Sequence, residues 1–369
     1  MRRAGAVAVL MIVSFVAPGC GDSDSPTSAS DTPATSSGAA SASPDDLARA
    51  AAKHFLDRYV EPDGRVARHD QGDDTVSEGP SYALLLAQVA GDQATFDRVW
   101  QWTATHLARP DGLLSAHASS DGTILDSNAA TDADLVIAWA LLRDTGPSAD
   151  ANHAAGRALA DAILQHETVT LSDGSLVLAA GNWATEPPGT VNPSYWALPA
   201  LEGLALLTND ARWTQIADTS VRLVAEATDN GQRLPPDWAQ IDGASITAIA
   251  SPNHDVPEAR YSFDAHRVVP WFAAGSEEAA QLAAKWSALL DDERGGASAL
   301  GLDGSVIDGN AHPTALVAAA AAVSAAGHDD VRDARLKEAE SLDAEHPTYY
   351  GSAWIALARA LLTTDVLRP

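Results

Sequence analysis

Three carboxylates in this chain stand where their surroundings could give them chemical work. Glu78, in "TVSEGPSYALLLA", sits between a serine and a glycine at the mouth of an almost wholly apolar run. A hydrophobic wall raises a carboxyl pKa toward neutrality and makes it a general acid. The same position suits a plainer account, with Ser77 capping the helix and Glu78 a first-turn anion favoured by the helix dipole. Asp132, in "NAATDADLVIAWALL", opens a second apolar helical run. Asp134 stands two residues later, so on a helix the pair faces different sides and has different tasks. Capping by Thr131 or Asp132 is the alternative there. Asp264, in "RYSFDAHRVVPWFAAG", has Arg267 three residues on. That spacing allows a helical ion pair, in which the cation would keep Asp264 ionised. An ordinary structural salt bridge would look the same.

Aromatic residues supply a further set of candidates. Among ten tryptophans, Trp139 and Trp286 fall at core spacing, whereas Trp183 in "GNWATE" and Trp238 in "PPDWAQ" lie in turn-rich segments. A loop tryptophan either stacks on a flat apolar ligand face, such as a sugar, or covers the edge of the core. Tyr82, in the run after Glu78, joins the binding candidates. The eleven histidines are scattered with no H-E-x-x-H pair; His117, His266 and His312 read first as surface or structural, with a place in a cleft wall as the alternative. No metal or cofactor is called for.

The elements that must position these residues are mostly helical. "DDLARAAAKHFLDRYV" places Leu47, Ala51, Phe55, Leu56 and Val60 on one helical face, and comparable patterns recur to "YYGSAWIALARALLTT", about a dozen in all. Between them, "RPDGLLSAHASSDGTIL", "LSDGSLVLAAGNWATE" and "LGLDGSVIDGN" carry Asp-Gly pairs flanked by apolar residues, the signature of hairpin turns. The expected fold is all-α, a closed ring of helical hairpins with small β excursions.

Bulk properties narrow the partners. The 369 residues carry a formal net charge of −27, with only 23 Lys and Arg, which argues against nucleic acid and leaves neutral substrates open. Cys20 is the single cysteine, so no internal disulfide or cysteine-based metal site forms. "MRRAGAVAVLMIVSFVAPGC" has two arginines, an apolar run and small residues before Cys20, the layout of a signal peptide over residues 1–20. Its end resembles a bacterial lipobox, in which Cys20 would be lipidated; plain secretion is the alternative. Residues 21–44, rich in Ser, Thr, Ala and Pro, read as a disordered tether, and the folded domain is expected over 45–369. Export to the outer face of a bacterial membrane follows, with no other membrane attachment.

Six ordered segments resemble glycoside hydrolase family 8, which includes endo-β-1,4-glucanases, chitosanases, xylanases and mixed-linkage glucanases. "SEGPSYALLLA" is similar to its Ser-Glu-Gly opening, "GDQATFDRVWQWTATHL" to its next aromatic helix, and "NAATDADLVIAWALL" to its Ala-Thr-Asp-x-Asp signature. "NPSYWALPAL", "LPPDW" and "FDAHRVVPW" resemble its later motifs. The resemblance, which runs from Asp45 to the C-terminus, implies an (α/α)6 barrel and inverting hydrolysis of internal β-1,4 bonds. By position it makes Glu78 the general acid, Asp264 the general base and Asp132 the residue that holds the sugar at the scissile bond. Arg267 would orient Asp264, and Tyr195 would help to hold the attacking water. Such a pair needs one carboxyl kept protonated and the other ionised. Three departures bear on subsite contacts: Pro80, Asn182 where many members have Asp, and one extra residue between Arg267 and Pro270.

A glucan is the expected substrate, acted on by a monomer. Chitosan, which so acidic a protein would steer in, and xylan are the alternatives within the family. A rival of another class is a catalytically silent carbohydrate-binding surface lipoprotein. It would have no need of a separate acid and base.

Overall fold

The computed structural model describes residues 42–253, 256–290 and 293–369; Cys20 and residues 21–41 of the expected tether lie outside them. The order of the helices decides the architecture. They are α1 (Pro44–Tyr59), α2 (Glu78–Ala90), α3 (Gln93–His106), α4 (Thr131–Leu142), α5 (Ala149–His166), α6 (Leu198–Thr208) and α7 (Ala211–Ala227). There follow α8 (Phe263–His266), α9 (Val268–Ala273), α10 (Glu277–Lys285), α11 (Pro313–Ala325), α12 (Asp329–Glu345) and α13 (Tyr349–Thr363). The first begins one residue before the expected Asp45, because Ser43 and Asp46 form a capping box around Pro44.

Helices apolar all round must be buried on all sides. That description fits α4, all twelve residues of which are buried, and most of α2, α11 and α13. With α6 and α9 these form an inner ring in which each helix packs on the next and α13 closes on α2. The amphipathic α3, α5, α7, α10 and α12 each pack behind the inner helix that precedes them, and α1 packs behind α13. The result is an (α/α)6 barrel, with α8 as an additional single turn. Close approach within the inner ring depends on Gly203 of α6, where a Cβ would stand 2.2 Å from the indole nitrogen of buried Trp139.

Inner-to-outer connections are tight turns, such as residues 91–92 and 209–210, whereas most outer-to-inner connections are long. Antiparallel hairpins therefore gather the N-termini of the six inner helices, and the long connections before them, at one end. Those connections hold the strands: β1 (Thr75–Val76), β2 (His117–Ala118), β3 (Ile124–Asp126), β4 (Thr168–Thr170) and β5 (Leu176–Leu178). The others are β6 (Gly189–Val191), β7 (Trp238–Asp242), β8 (Ser245–Ile249), β9 (Ala297–Leu300) and β10 (Val306–Ala311). All pair antiparallel, as sheets β1-β2-β3, β4-β5, β6-β7-β8 and β9-β10. The expected Asp-Gly turns form at Gly112, Gly122, Gly174 and Gly304, whereas Asp308-Gly309 lies within β10, where the pairing register shifts. The β6-β7-β8 sheet was not expected, although Asp242-Gly243 between β7 and β8 carries the same turn signal.

Candidate active site

At the open end of the barrel, Arg267 gathers all three candidate carboxylates. Only 2% exposed, it donates through Nη1 to Glu78 Oε2 at 2.7 Å and to Asp132 Oδ2 at 2.7 Å. Through Nη2 it donates to Asp264 Oδ1 at 2.8 Å. The planar guanidinium suits such forked, charge-assisted bonding. Its remaining contacts are aromatic: the Tyr195 ring lies 5.3 Å from the guanidinium carbon, and Tyr82 Oη accepts from Nη1 at 3.3 Å. The Tyr82 hydroxyl also accepts from Trp354 Nε1 at 3.1 Å, and Trp354 packs edge-on against Trp271. One residue each from α2, α9 and α13 thus forms an aromatic floor under the arginine.

Local backbone chemistry places each group. The helical pattern of "FDAHRVVPWFAAG", residues 263–275, is broken at Arg267, which ends α8 and starts α9. Pro270 falls in the first turn of α9, where an N–H has no intrahelical partner to lose, so the extra residue before it is accommodated. Pro80 stands in the first turn of α2 for the same reason. Ser77 precedes α2 but its side chain makes no cap bond, so the capping account of this segment fails. Neither Thr131 nor Asp132 is the N-cap of α4, a position held by Ala130; Asp132 instead accepts from Ala133 N–H and from Arg267. Asp134 is buried on another side, near the Leu114 amide.

Burial dominates the protonation of the acid candidates. Glu78, with 21% of its side chain exposed, is pushed up to about 7 by burial and by the charge of Asp132, against the pull of Arg267. Asp264 was expected to be lowered by Arg267. Its direction is upward, because burial outweighs the cation. Burial would lower Arg267, but Tyr350, Tyr82, Glu78 and Asp132 around it hold it well above its ordinary value.

The aromatic candidates divide. Trp183 is half exposed, and its indole donates to Ala129 O at 3.3 Å beside the start of α4. Gly181 permits this approach, since a Cβ there would lie 2.3 Å from Ala129 O. Asn182 Oδ1 accepts from Ala129 N–H at 3.1 Å, a bond that an aspartate would also make. Trp238 begins β7 rather than lying in a loop, half-buried and edge-on to Tyr195. Tyr82 is buried behind Arg267, so its contacts are with the arginine and Trp354 rather than with the cleft.

A cavity of about 660 Å³ opens over Glu78 and Asp264. Its walls include Trp238, His312 and residues not singled out in the sequence, among them Arg68, Asp237, Phe263 and Tyr350. Phe263 is an exposed aromatic adjacent to Asp264, a signal visible in the "FDAHR" motif. Burial holds His312 at about 4 and His266 at about 3, so both are neutral, and both ring nitrogens Nδ1 lie on Thr314 Oγ1. His117 pairs with Asp74, which Arg68 also holds. Among the described residues, Glu61, His69 and Asp73 bring ligand-type atoms within 4.8 Å of one another, with His69 Nδ1 hydrogen-bonded to Asp73 Oδ1 at 2.8 Å.

A helical barrel with an acid-lined cleft at the end where its inner helices begin is an architecture that glycoside hydrolases of the (α/α)6 class share. Residues 34–362 match the model of Glycosyl hydrolases family 8, and the chain belongs to that family. It is 33% identical over 234 residues to a probable endoglucanase of Novacetimonas hansenii, covering 59% of this chain and 64% of that relative, a little under two thirds of its length. It is 30% identical over 250 residues to an endoglucanase of Cellulomonas uda, covering 66% of this chain and 68% of the relative. The solved endo-β-1,4-glucanase CMCax of Acetobacter xylinum superposes with a TM-score of 0.68 at 26% identity, over 86% of this chain and 99% of the other.

Proposed function

We propose that the protein is an inverting endo-β-1,4-glucanase in which Glu78 is the general acid, Asp264 the general base and Asp132 the carboxylate that holds the sugar at the scissile bond. The observation that carries this reading is the meeting of all three on Arg267, with Glu78 and Asp264 lining one cleft and Glu78 at about 7. At neutral pH a large share of Glu78 keeps its proton, which it gives to the glycosidic oxygen as that bond breaks. Asp264 takes a proton from a water that attacks the anomeric carbon from the opposite face, inverting it. Arg267 favours the charged form of Asp264 and fixes its direction. Tyr195, stacked on that arginine, helps to hold the water, while Trp183 and Trp238 offer sugar-stacking faces. The relatives' printed activities support a β-1,4-glucan as substrate.

The test is release of reducing ends from carboxymethylcellulose, barley β-glucan, xylan and chitosan by the full chain, with Glu78→Gln alongside. Glucan hydrolysis is expected, with the α-anomer formed first, and Glu78→Gln should lose at least about 10³-fold in kcat. Preference for chitosan, which the net charge of −27 favours by steering, would replace the substrate assignment. Activity on none of the four would favour the binding reading, and an active Glu78→Gln would remove the acid from its role.

The same reading has the protein exported, lipidated on Cys20 and working as a monomer. Among the described residues no helix is long and apolar enough to cross a membrane; in this reading the lipid on Cys20 supplies the attachment. In a bacterial host, labelled fatty acid should enter the wild type and not Cys20→Ala, which should move to the soluble fraction. Equal labelling or equal partitioning would overturn lipidation. Light scattering should give the mass of one chain.

A further inference from the structure

Asp264 occupies the second position of α8, a helix of one turn. So short a helix has no stability of its own, and something outside it must fix where its carboxylate points. Ser262 stands where a local cap would be, yet its side chain makes no cap bond. The caps come instead from the turn before β7. Asp237, 8% exposed, accepts through Oδ1 from the backbone N–H of Ser262 at 2.8 Å and of Ala265 at 2.9 Å. Its Oδ2 accepts from the Ser262 hydroxyl. The turn is itself anchored, since Asp237 N–H donates to Arg260 O at 2.8 Å and Leu234 N–H to Leu302 O at 2.8 Å.

We propose that Asp237 is a positioning residue for the hydrolysis, a remote cap that holds α8 so that Asp264 faces the attacking water. This rests on the reading of Asp264 as general base. Asp237 acts through the backbone of α8: its bonds are to Ser262 and Ala265, and none is to Arg267 or another candidate carboxylate. A chain that needed only an ordinary helix cap had Ser262 at hand. It has instead buried a second carboxylate close to the first, at an electrostatic cost: burial and then the charge of Asp264 push Asp237 up to about 7. The next residue is Trp238, so the same dipeptide fixes both the base and an aromatic wall of the cleft.

The test compares Asp237→Ala and Asp237→Asn in the full chain on a soluble β-1,4-gluco-oligosaccharide, with Asp264→Asn as reference and thermal melting of each variant. A displacement of the base on the order of 1 Å costs about 10²-fold. Asp237→Ala should therefore lose about 100-fold in kcat with KM within about twofold. Asp237→Asn keeps an oxygen for both N–H groups and should stay within about fivefold of wild type. Near-wild-type kcat in Asp237→Ala, a loss confined to KM, or an Asn variant as impaired as Ala would each overturn the proposal. If Asp237→Ala does not fold, Asp237→Glu decides, because it keeps the charge and moves the acceptor by one methylene. A kcat lowered about tenfold or more at unchanged KM then supports the proposal, and wild-type kcat overturns it. Full activity in Asp264→Asn would instead overturn the base assignment, and the proposal with it.

Discussion

Arg267 acts on the protonation of both Glu78 and Asp264 in the same direction, pulling each down against burial. Its removal therefore has a signed consequence. The alkaline limb of kcat/KM reports loss of the proton from the acid, and the acid limb reports protonation of the base. In Arg267→Ala both groups lose a neighbouring cation, so both rise, and both limbs should move to higher pH while kcat falls at least about 100-fold. A pH profile from about 4 to 9 on soluble glucan checks this. Unmoved limbs would mean that Arg267 does not face the reacting carboxylates. The sequence already held the Asp264–Arg267 pair at helical spacing, but not its net direction. Burial of Asp264 is a property of the assembled cleft, and no spacing within one segment reports it. Tyr82 shows the same limit: its position in "SEGPSYALLLA" placed it near the acid, yet which side of α2 meets Arg267 depends on α9 and α13.

Among the elements, the inner helices were the most legible. "DLVIAWALL" and "SYALLLA" are apolar on all sides, and only a helix enclosed by others tolerates that. The Asp-Gly hairpins were legible too, because the turn chemistry is local. The break between α8 and α9 was not, since "FDAHRVVPWFAAG" reads as one periodic run and its only interruption, Pro270, is harmless in a first turn. Nor was the β6-β7-β8 sheet, in which β6 pairs with a strand that follows two helices. That long-range pairing moves Trp238 from the expected loop to a strand end facing Tyr195. The cap from Asp237 belongs with these cases. Its partners are brought near by long-range ties of the β7 turn to Arg260 and Leu302.

At the scale of the whole molecule, the chain folds around carboxyl groups that prefer to stay protonated. Glu167, fully buried and outside the proposed catalytic set, is raised to about 8 by burial and Asp132 against the Thr131 hydroxyl. Glu78 and Asp237 stand at about 7, and Asp134 lies well above its ordinary value, chiefly through burial. In the unfolded chain these groups release their protons near their ordinary values of about 4 to 4.5. Between there and about 8 the native state holds protons on these carboxyls that the unfolded state has released, so they make stability fall as pH rises. His266 and His312, protonated below about 6.5 only in the unfolded chain, oppose this and are outnumbered. The net charge of −27 adds self-repulsion in the same direction. The melting temperature should therefore be lower at pH 8.5 than at pH 5.5. Added salt should restore only part of the difference, because it screens the surface charges far better than the buried ones. Glu167→Gln separates the two contributions. It removes one buried proton-binding site and leaves the surface unchanged, so it should raise the melting temperature at pH 8.5 relative to wild type by more than it does at pH 5.5. A wild type that melts at the same or a higher temperature at pH 8.5, or a Gln variant that tracks it equally at both pH values, would show that the native fold does not hold these protons.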